Sequence, residues 1–195
     1  MGKSLGVVMD PIQSINYNKD TTLSLLLAAQ LQGYKLFYME QRHLFLDNGN
    51  PRAEVRPLRV FENPDKWYEL EAASSVPLEE LDVLLMRKDP PFDSEFIYST
   101  YILEAAERRG TLVVNRPQSL RDCNEKVFAT QFPQCTPPLL VSRDQGRLKK
   151  FLAEHGDVVF KPLDGMGGTS IFRVKEGDQN LNVILETLTK YGAET

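Results

Sequence analysis

Short apolar runs alternate along this chain with longer stretches whose apolar residues recur at helical spacing. Leu5 to Asp10 (LGVVMD) is a β-branched run closed by Pro11, the pattern of a short buried strand. TTLSLLLAAQLQG follows at helical period, with Asp20 or Thr21 as N-cap and Gly33 as the stop. YKLFYM reads as the second strand. HLFLDNGNPRAEVRPLRVF holds Asn48-Gly49, a hairpin turn signal between two strand-like halves. LDVLLMRK reads as a buried strand and SEFIYSTYILEAAERRG as an amphipathic helix ended by Gly110. TLVVN is the next strand, followed by a polar helix around Asn124 to Phe132. A smaller series comes after: PLLVS strand, QGRLKKFLAEHG helix, VVFKPL strand, a glycine loop, SIFRV strand and LNVILETLTKYG helix.

Strands alternating with helices predict an α/β fold with a mainly parallel sheet in the first part. The second part reads as a small α+β unit. Composition changes character between Arg121 and Lys126, so a boundary is expected close to Asp122, giving domains 1–122 and 123–195.

Composition narrows the chemistry. A length of 195 residues suits one or two domains, and 42% hydrophobic content allows a sizeable core. The formal net charge of −4 gives no basic footprint for nucleic acid. No apolar run approaches the ~18 residues of a membrane helix, and the N-terminal apolar run is too short for a signal peptide. No nucleic-acid or membrane partner is therefore expected. Two cysteines, Cys123 and Cys135, make no disulfide framework, so a reduced, cytoplasmic setting is the default and both read as ordinary thiols. With His43 and His155 the only histidines, no metal-site spacing arises, and zinc or Ser-His-Asp chemistry lacks its imidazoles.

In open parallel sheets ligands bind beyond the carboxyl ends of the strands. Three such ends are unusually polar here: Met9-Asp10-Pro11 leading into INYNKD, the loop RKDPPFD from Arg87 to Asp93, and Asn115-Arg116-Pro117. Proline pairs stiffen a loop, and an arginine held by one suits a carboxylate. Termination of strands by Asp and Pro is the plainer account of each loop taken alone. Tyr98 and Tyr101 stand three apart and share a helix face, where core packing is the simpler expectation for each.

DGMGGTS, with Gly165, Gly167 and Gly168, is neither a P-loop nor a dinucleotide fingerprint, because a strand follows it. A glycine-rich turn between strands lets backbone N–H groups approach phosphate oxygens. A plain hairpin turn with Lys161 on the exposed face is the other reading. A lysine within the apolar run VVFKPL favours the first, since it needs an anion or must reach water. Lys126 is a second candidate cation, although alone it reads as a solvated helix lysine.

MRKDPPFD, NRPQSLRDCNEK and KPLDGMGG together resemble bacterial glutathione synthetase, of the ATP-grasp superfamily, and the likeness runs from GVVMDP to the end of the chain. The resemblance implies a pre-ATP-grasp, Rossmann-like substrate domain followed by an incomplete ATP-grasp lid. It implies a ligase in which ATP phosphorylates the cysteinyl carboxylate of γ-glutamylcysteine and glycine attacks the acyl phosphate. Lys126 and Lys161 would match the two ATP-binding lysines, and Gly165, Met166, Gly167 and Gly168 the loop over the phosphates. Asn18, Lys19, Asp20, Arg87, Asp89, Tyr98 and Tyr101 would fall in the dipeptide region. The expected cofactors are ATP and Mg²⁺, and a homotetramer is implied. The family's metal ligands and most of its glycine site would lie beyond residue 195, so no metal ligand is expected within this chain. Two readings follow: the front part of a ligase inactive at this length, or a non-catalytic binding or assembly module. A lid without its partner should also expose apolar surface.

Overall fold

In a computed structural model, residues 2–164 and 167–195 are described, and they divide between Arg121 and Asp122 into two compact units. In the first unit the elements run β1 (Ser4–Met9), α1 (Thr21–Leu31), β2 (Lys35–Met39), β3 (Leu44–Asp47), β4 (Asn50–Val60), β5 (Tyr68–Leu70), β6 (Ser74–Pro77), β7 (Val83–Arg87), α2 (Ser94–Glu107) and β8 (Leu112–Val114). α3 (Pro117–Asp122) follows. The strands make one sheet in the order β3-β4-β2-β1-β7-β8, with β5 and β6 also pairing with β4. β1 sits between β2 and β7, parallel to both, and β8 extends the parallel part beside β7. The long β4 is antiparallel to all four of its partners, against three parallel pairings elsewhere, so the sheet is mixed and not mainly parallel as expected.

β1 is apolar from Leu5 to Met9 because both of its faces are covered there. Val8 joins Met39, Leu84 and Met86 beneath Leu103 and Ala106 of α2. Val7 and Met9 point the other way and join Leu36 and Tyr38 against Leu23 and Leu26 of α1. Gly6 fits between these layers for want of space: a Cβ there would stand 2.7 Å from Leu84 Cδ2 and 2.8 Å from Leu81 Cδ1. The helix ends follow their caps. Asp20 accepts from the Leu23 amide at 2.7 Å and Asp93 from the Phe96 amide at 2.9 Å. At the β3–β4 turn Asn48 and Gly49 both have positive φ, 49° and 78°, as a type I′ hairpin requires.

The second unit holds α4 (Gln145–His155), β9 (Asp157–Phe160), β10 (Phe172–Lys175) and α5 (Leu181–Thr189). β9 and β10 form an antiparallel pair. Both helices pack on it around Leu148, Leu152, Val158, Phe160, Val174 and Leu185. Arg173 Nη2 reaches Asp157 Oδ2 at 2.6 Å, diagonally across the pair. This hydrogen-bonded guanidinium holds the Asp157 carboxyl below its usual range. The contribution is therefore present above the ordinary Asp range and lost as pH falls through the depressed value. Because both groups are exposed, the effect is small. Asp157→Asn should lower the melting temperature slightly at pH 7, and the gap to wild type should close in thermal melts at acidic pH. A gap that widens on acidification would contradict this.

Three local expectations fail here. Pro138–Ser142 (PLLVS) is not in a strand: Leu140 packs against the core while Leu139 and Val141 are exposed, and Pro137 and Pro138 lack the N–H groups that a ladder needs. The polar helix around Asn124 to Phe132 is replaced by two 3-10 turns, Phe128–Gln131 and Pro133–Cys135. Asn124 Oδ1 accepts from the Lys126 and Val127 amides and competes with helical bonding, while Pro133 disfavours helix at the residue before it. Lys161 is not inside a buried strand. β9 ends at Phe160, Pro162 lacks an N–H to continue the ladder, and Lys161 is exposed.

Candidate functional site

The first unit gathers its polar residues where the parallel strands end. Asp10 follows β1 and Arg87 closes β7, in neighbouring register through Met9 and Arg87. A cavity of about 550 Å³ there is lined by Asn16, Lys19, Asp20, Arg87 and Asp89 together with Asp10. Arg87 donates through Nε to Thr22 Oγ1 at 3.0 Å and through Nη2 to Thr21 Oγ1 at 2.8 Å. Asp10 binds Lys88 Nζ at 2.9 Å through one oxygen and accepts from the Asp89 amide at 2.9 Å through the other. Asp10 and Lys88 also border a second cavity of about 480 Å³, with Glu40, Arg42, Glu95 and Tyr98. The Tyr38 phenol donates to Glu40 Oε1 at 2.8 Å, and burial followed by this carboxylate pushes its pKa up.

The sequence-derived candidates separate into three groups. Lys19, Asp20, Arg87 and Asp89 meet in one cavity, where Asp20 has the further task of capping α1. Tyr98 borders the adjoining cavity. Asn18 is exposed and lies outside both linings. Tyr101 also lies outside both, with the Arg121 guanidinium 4.8 Å from its ring centroid. Arg121 is itself fixed by Thr100 Oγ1 and Glu104 Oε2, each at 3.0 Å. Core packing of the tyrosines is corrected: Tyr98 is 56% and Tyr101 49% exposed. One lies over a cleft and the other under a guanidinium, both solvent-facing surroundings that a phenol tolerates. Thr21, Thr22, Asp10 and Lys88 went unchosen in the sequence. Asp10 and Lys88 lie within the polar strand ends, but nothing local marks two helix-start threonines as arginine partners.

In the second unit a cavity of about 380 Å³ has Lys126 and Lys161 in its wall, among apolar residues that include Leu139, Val159 and Leu185. Lys126 is largely buried, its Nζ 3.0 Å from the Leu163 carbonyl and 2.9 Å from Glu125 Oε1. Lys161 is exposed. Gly165 and Met166 lie outside the described residues. Gly167 and Gly168 follow with φ of 65° and 81°, and Ser170 with 58°, so the turn is built largely of left-handed backbone. Val127, Phe132, Leu139, Val141, Val159 and Ile171 are exposed apolar residues of this unit. Cys123 and Cys135 are exposed free thiols. Among the described residues no three His, Cys, Asp or Glu side chains cluster to hold a metal, and no helix is long and apolar enough to cross a membrane.

The model of the prokaryotic glutathione synthetase N-terminal domain matches residues 4–121, and that of the prokaryotic glutathione synthetase ATP-grasp domain matches residues 125–195. The chain belongs to the prokaryotic glutathione synthetase family. Glutathione synthetase of Pseudomonas aeruginosa is 64% identical over 194 residues, covering 100% of this chain and 61% of the relative. That of Escherichia coli O6:H1 is 61% identical over 188 residues, 96% of this chain and 60% of its own length. The chain thus spans about 61% of the length of such relatives. The fold is like that of solved synthetases. D-cycloserine synthetase DcsG superposes with a TM-score of 0.60 at 14% identity, covering 97% of this chain and 56% of that one. D-alanyl-alanine synthetase A from Vibrio cholerae gives 0.53 at 15% identity, covering 98% and 57%. The family resemblance drawn from the three motifs and the α/β fold class are both borne out.

Proposed function

We propose that this chain is the front part of an ATP-dependent ligase that joins γ-glutamylcysteine to glycine through an acyl phosphate, forming glutathione. The observation that carries the reading is the convergence of Lys126 and Lys161 on one apolar-walled cavity within the segment that matches the family's ATP-grasp domain. An apolar cavity with cations in its wall suits a purine with a charged tail. Phosphoryl transfer of this kind needs positioning and charge neutralisation more than a nucleophilic side chain. Lys126 and Lys161 would neutralise phosphate, and Gly167 and Gly168, with Gly165 and Met166, would cover it with backbone N–H groups. In the first unit the cavity around Lys19, Arg87 and Asp89 would take the dipeptide, with Arg87 as the carboxylate partner. Mg²⁺ would require oxygen ligands, and no described cluster supplies them. A homotetramer in the cytoplasm remains part of this proposal by family likeness.

The test is ADP release with ATP, Mg²⁺, γ-glutamylcysteine and glycine, each omitted in turn, at the full length of the relatives and for the 195-residue chain. Release at full length that depends on both amino substrates is the expected result. Release that ignores γ-glutamylcysteine would refute the substrate assignment. Gly167→Val gives a second check. Its Cβ would meet no atom of the described residues within 4 Å, so the expected loss comes from forcing a β-branched residue into φ 65°. Strain of this kind predicts a fall in kcat of about tenfold or more, with a modest fall in melting temperature. A fully active Gly167→Val enzyme would leave the loop as a turn only.

A further inference from the structure

Arg87 is tethered in an unusual way for a cation in a cavity lined by carboxylates. Its two recorded bonds go to neutral hydroxyls, Thr22 Oγ1 from Nε and Thr21 Oγ1 from Nη2. Nε and Nη2 form the side edge of a guanidinium, so the threonines occupy that edge. The terminal edge, Nη1 with the second hydrogen of Nη2, is left over, and such an edge gives a carboxylate two parallel hydrogen bonds. Among the described residues no carboxylate pairs with Arg87, although three aspartates line its cavity. Two of them are engaged elsewhere: Asp20 caps α1, and Asp10 binds Lys88 and the Asp89 amide.

A hydroxyl can hold the arginine fork without cancelling its charge, whereas an acidic residue at the same place would neutralise it. Both hydroxyls belong to the first turn of α1, which Asp20 fixes, and Thr22 is 4% exposed. A threonine in a helix divides between two χ1 rotamers, so a hydroxyl held by one arginine bond offers an acceptor with few alternatives. We propose that Thr21 and Thr22 are positioning residues that hold the Arg87 guanidinium with its terminal edge open to a carboxylate of the dipeptide substrate. This rests on the reading of the first unit's cavity as the dipeptide site. Without the hydroxyls, the long arginine side chain would be ordered only when substrate binds, and the loss would appear in dipeptide KM.

The experiment is steady-state kinetics at the full length of the relatives, with γ-glutamylcysteine, ATP and glycine varied in turn. Thr21→Val and Thr22→Val keep the shape and remove the hydroxyl, while Thr21→Ser and Thr22→Ser retain it. Each valine variant should raise the KM for γ-glutamylcysteine about three- to tenfold, the loss of one charge-assisted bond to a partner that acts at one remove. The KM for ATP should hold, and the serine variants should stay near wild type. In an Arg87→Ala background the valine substitutions should add nothing further. Thr21 is exposed, so Thr21→Val tests the idea even where the buried Thr22→Val costs stability. If Arg87→Ala raises dipeptide KM while Thr21→Val and Thr22→Val do not, the positioning role is overturned and the site reading survives. Serine variants as impaired as the valine ones would overturn it too, by showing that packing matters and the hydroxyl does not. An Arg87→Ala enzyme with unchanged dipeptide KM would remove the site reading, and this inference with it.

Discussion

Lys161→Ala at the full length of the relatives should lower kcat/KM for ATP by about ten- to a hundredfold, the range for removing a hydrogen bond to a charged group. Its exposure means that little in the fold depends on it, so the melting temperature should not move. Lys126→Ala should be at least as damaging to ATP use, and for two reasons. It removes a second cation from the same cavity, and it also breaks the bond to the Leu163 carbonyl that ties the chain to the segment after β9. A modest loss of stability should therefore accompany Lys126→Ala and be absent from Lys161→Ala. ADP release with ATP varied, together with thermal melts of both variants, checks the pair. Unchanged ATP kinetics in Lys161→Ala would place the phosphates elsewhere and leave this lysine as a surface charge.

Leu84→Ala should have the largest effect on stability. Leu84 is fully buried in β7, one strand from the middle of the sheet, and belongs to the cluster beneath α2. Truncating such a leucine costs about 2–5 kcal/mol, because the transfer free energy is lost and the cavity closes only in part. Leu112→Ala, at a residue 59% exposed on β8, should stay within about 0.5 kcal/mol of wild type. Urea denaturation of both variants makes the comparison, and equal shifts would contradict the assignment of the core. β7 ends in Arg87, so a loosened strand should also raise the KM for γ-glutamylcysteine.

Several parts of this molecule are written in short stretches of sequence. The α1 and α2 caps, Asp20 and Asp93, act on amides three residues away. The Asn48-Gly49 turn is settled by two residues that accept positive φ. β1 is legible because a strand covered on both faces needs an unbroken apolar run. The family is legible too, because its three motifs are long and well separated. Signals of this kind act over a few residues, and a local reading captures them.

Local patterns mislead where partners come from far away. Tyr68–Leu70 and Ser74–Pro77 are too short and too polar to announce strands, and they are strands because β4 offers them an edge. Pro138–Ser142 has a strand-like composition, and among the described residues no strand pairs with it. Lys161 looks buried when counted with VVF, but the ladder ends one residue earlier. Tyr98 and Tyr101 share a helix face, yet a cleft receives one and Arg121 covers the other.

By itself, then, the sequence determined most of the helices and strands, the caps and turns that bound them, and the family, since these depend on neighbours in the chain or on whole motifs. Only the tertiary structure decided what surrounds each charge. The hydroxyls that hold Arg87 lie 65 and 66 positions from it in sequence. Such a pairing is created when β1 brings α1 and β7 together, and its geometry is set by the packing of the whole sheet.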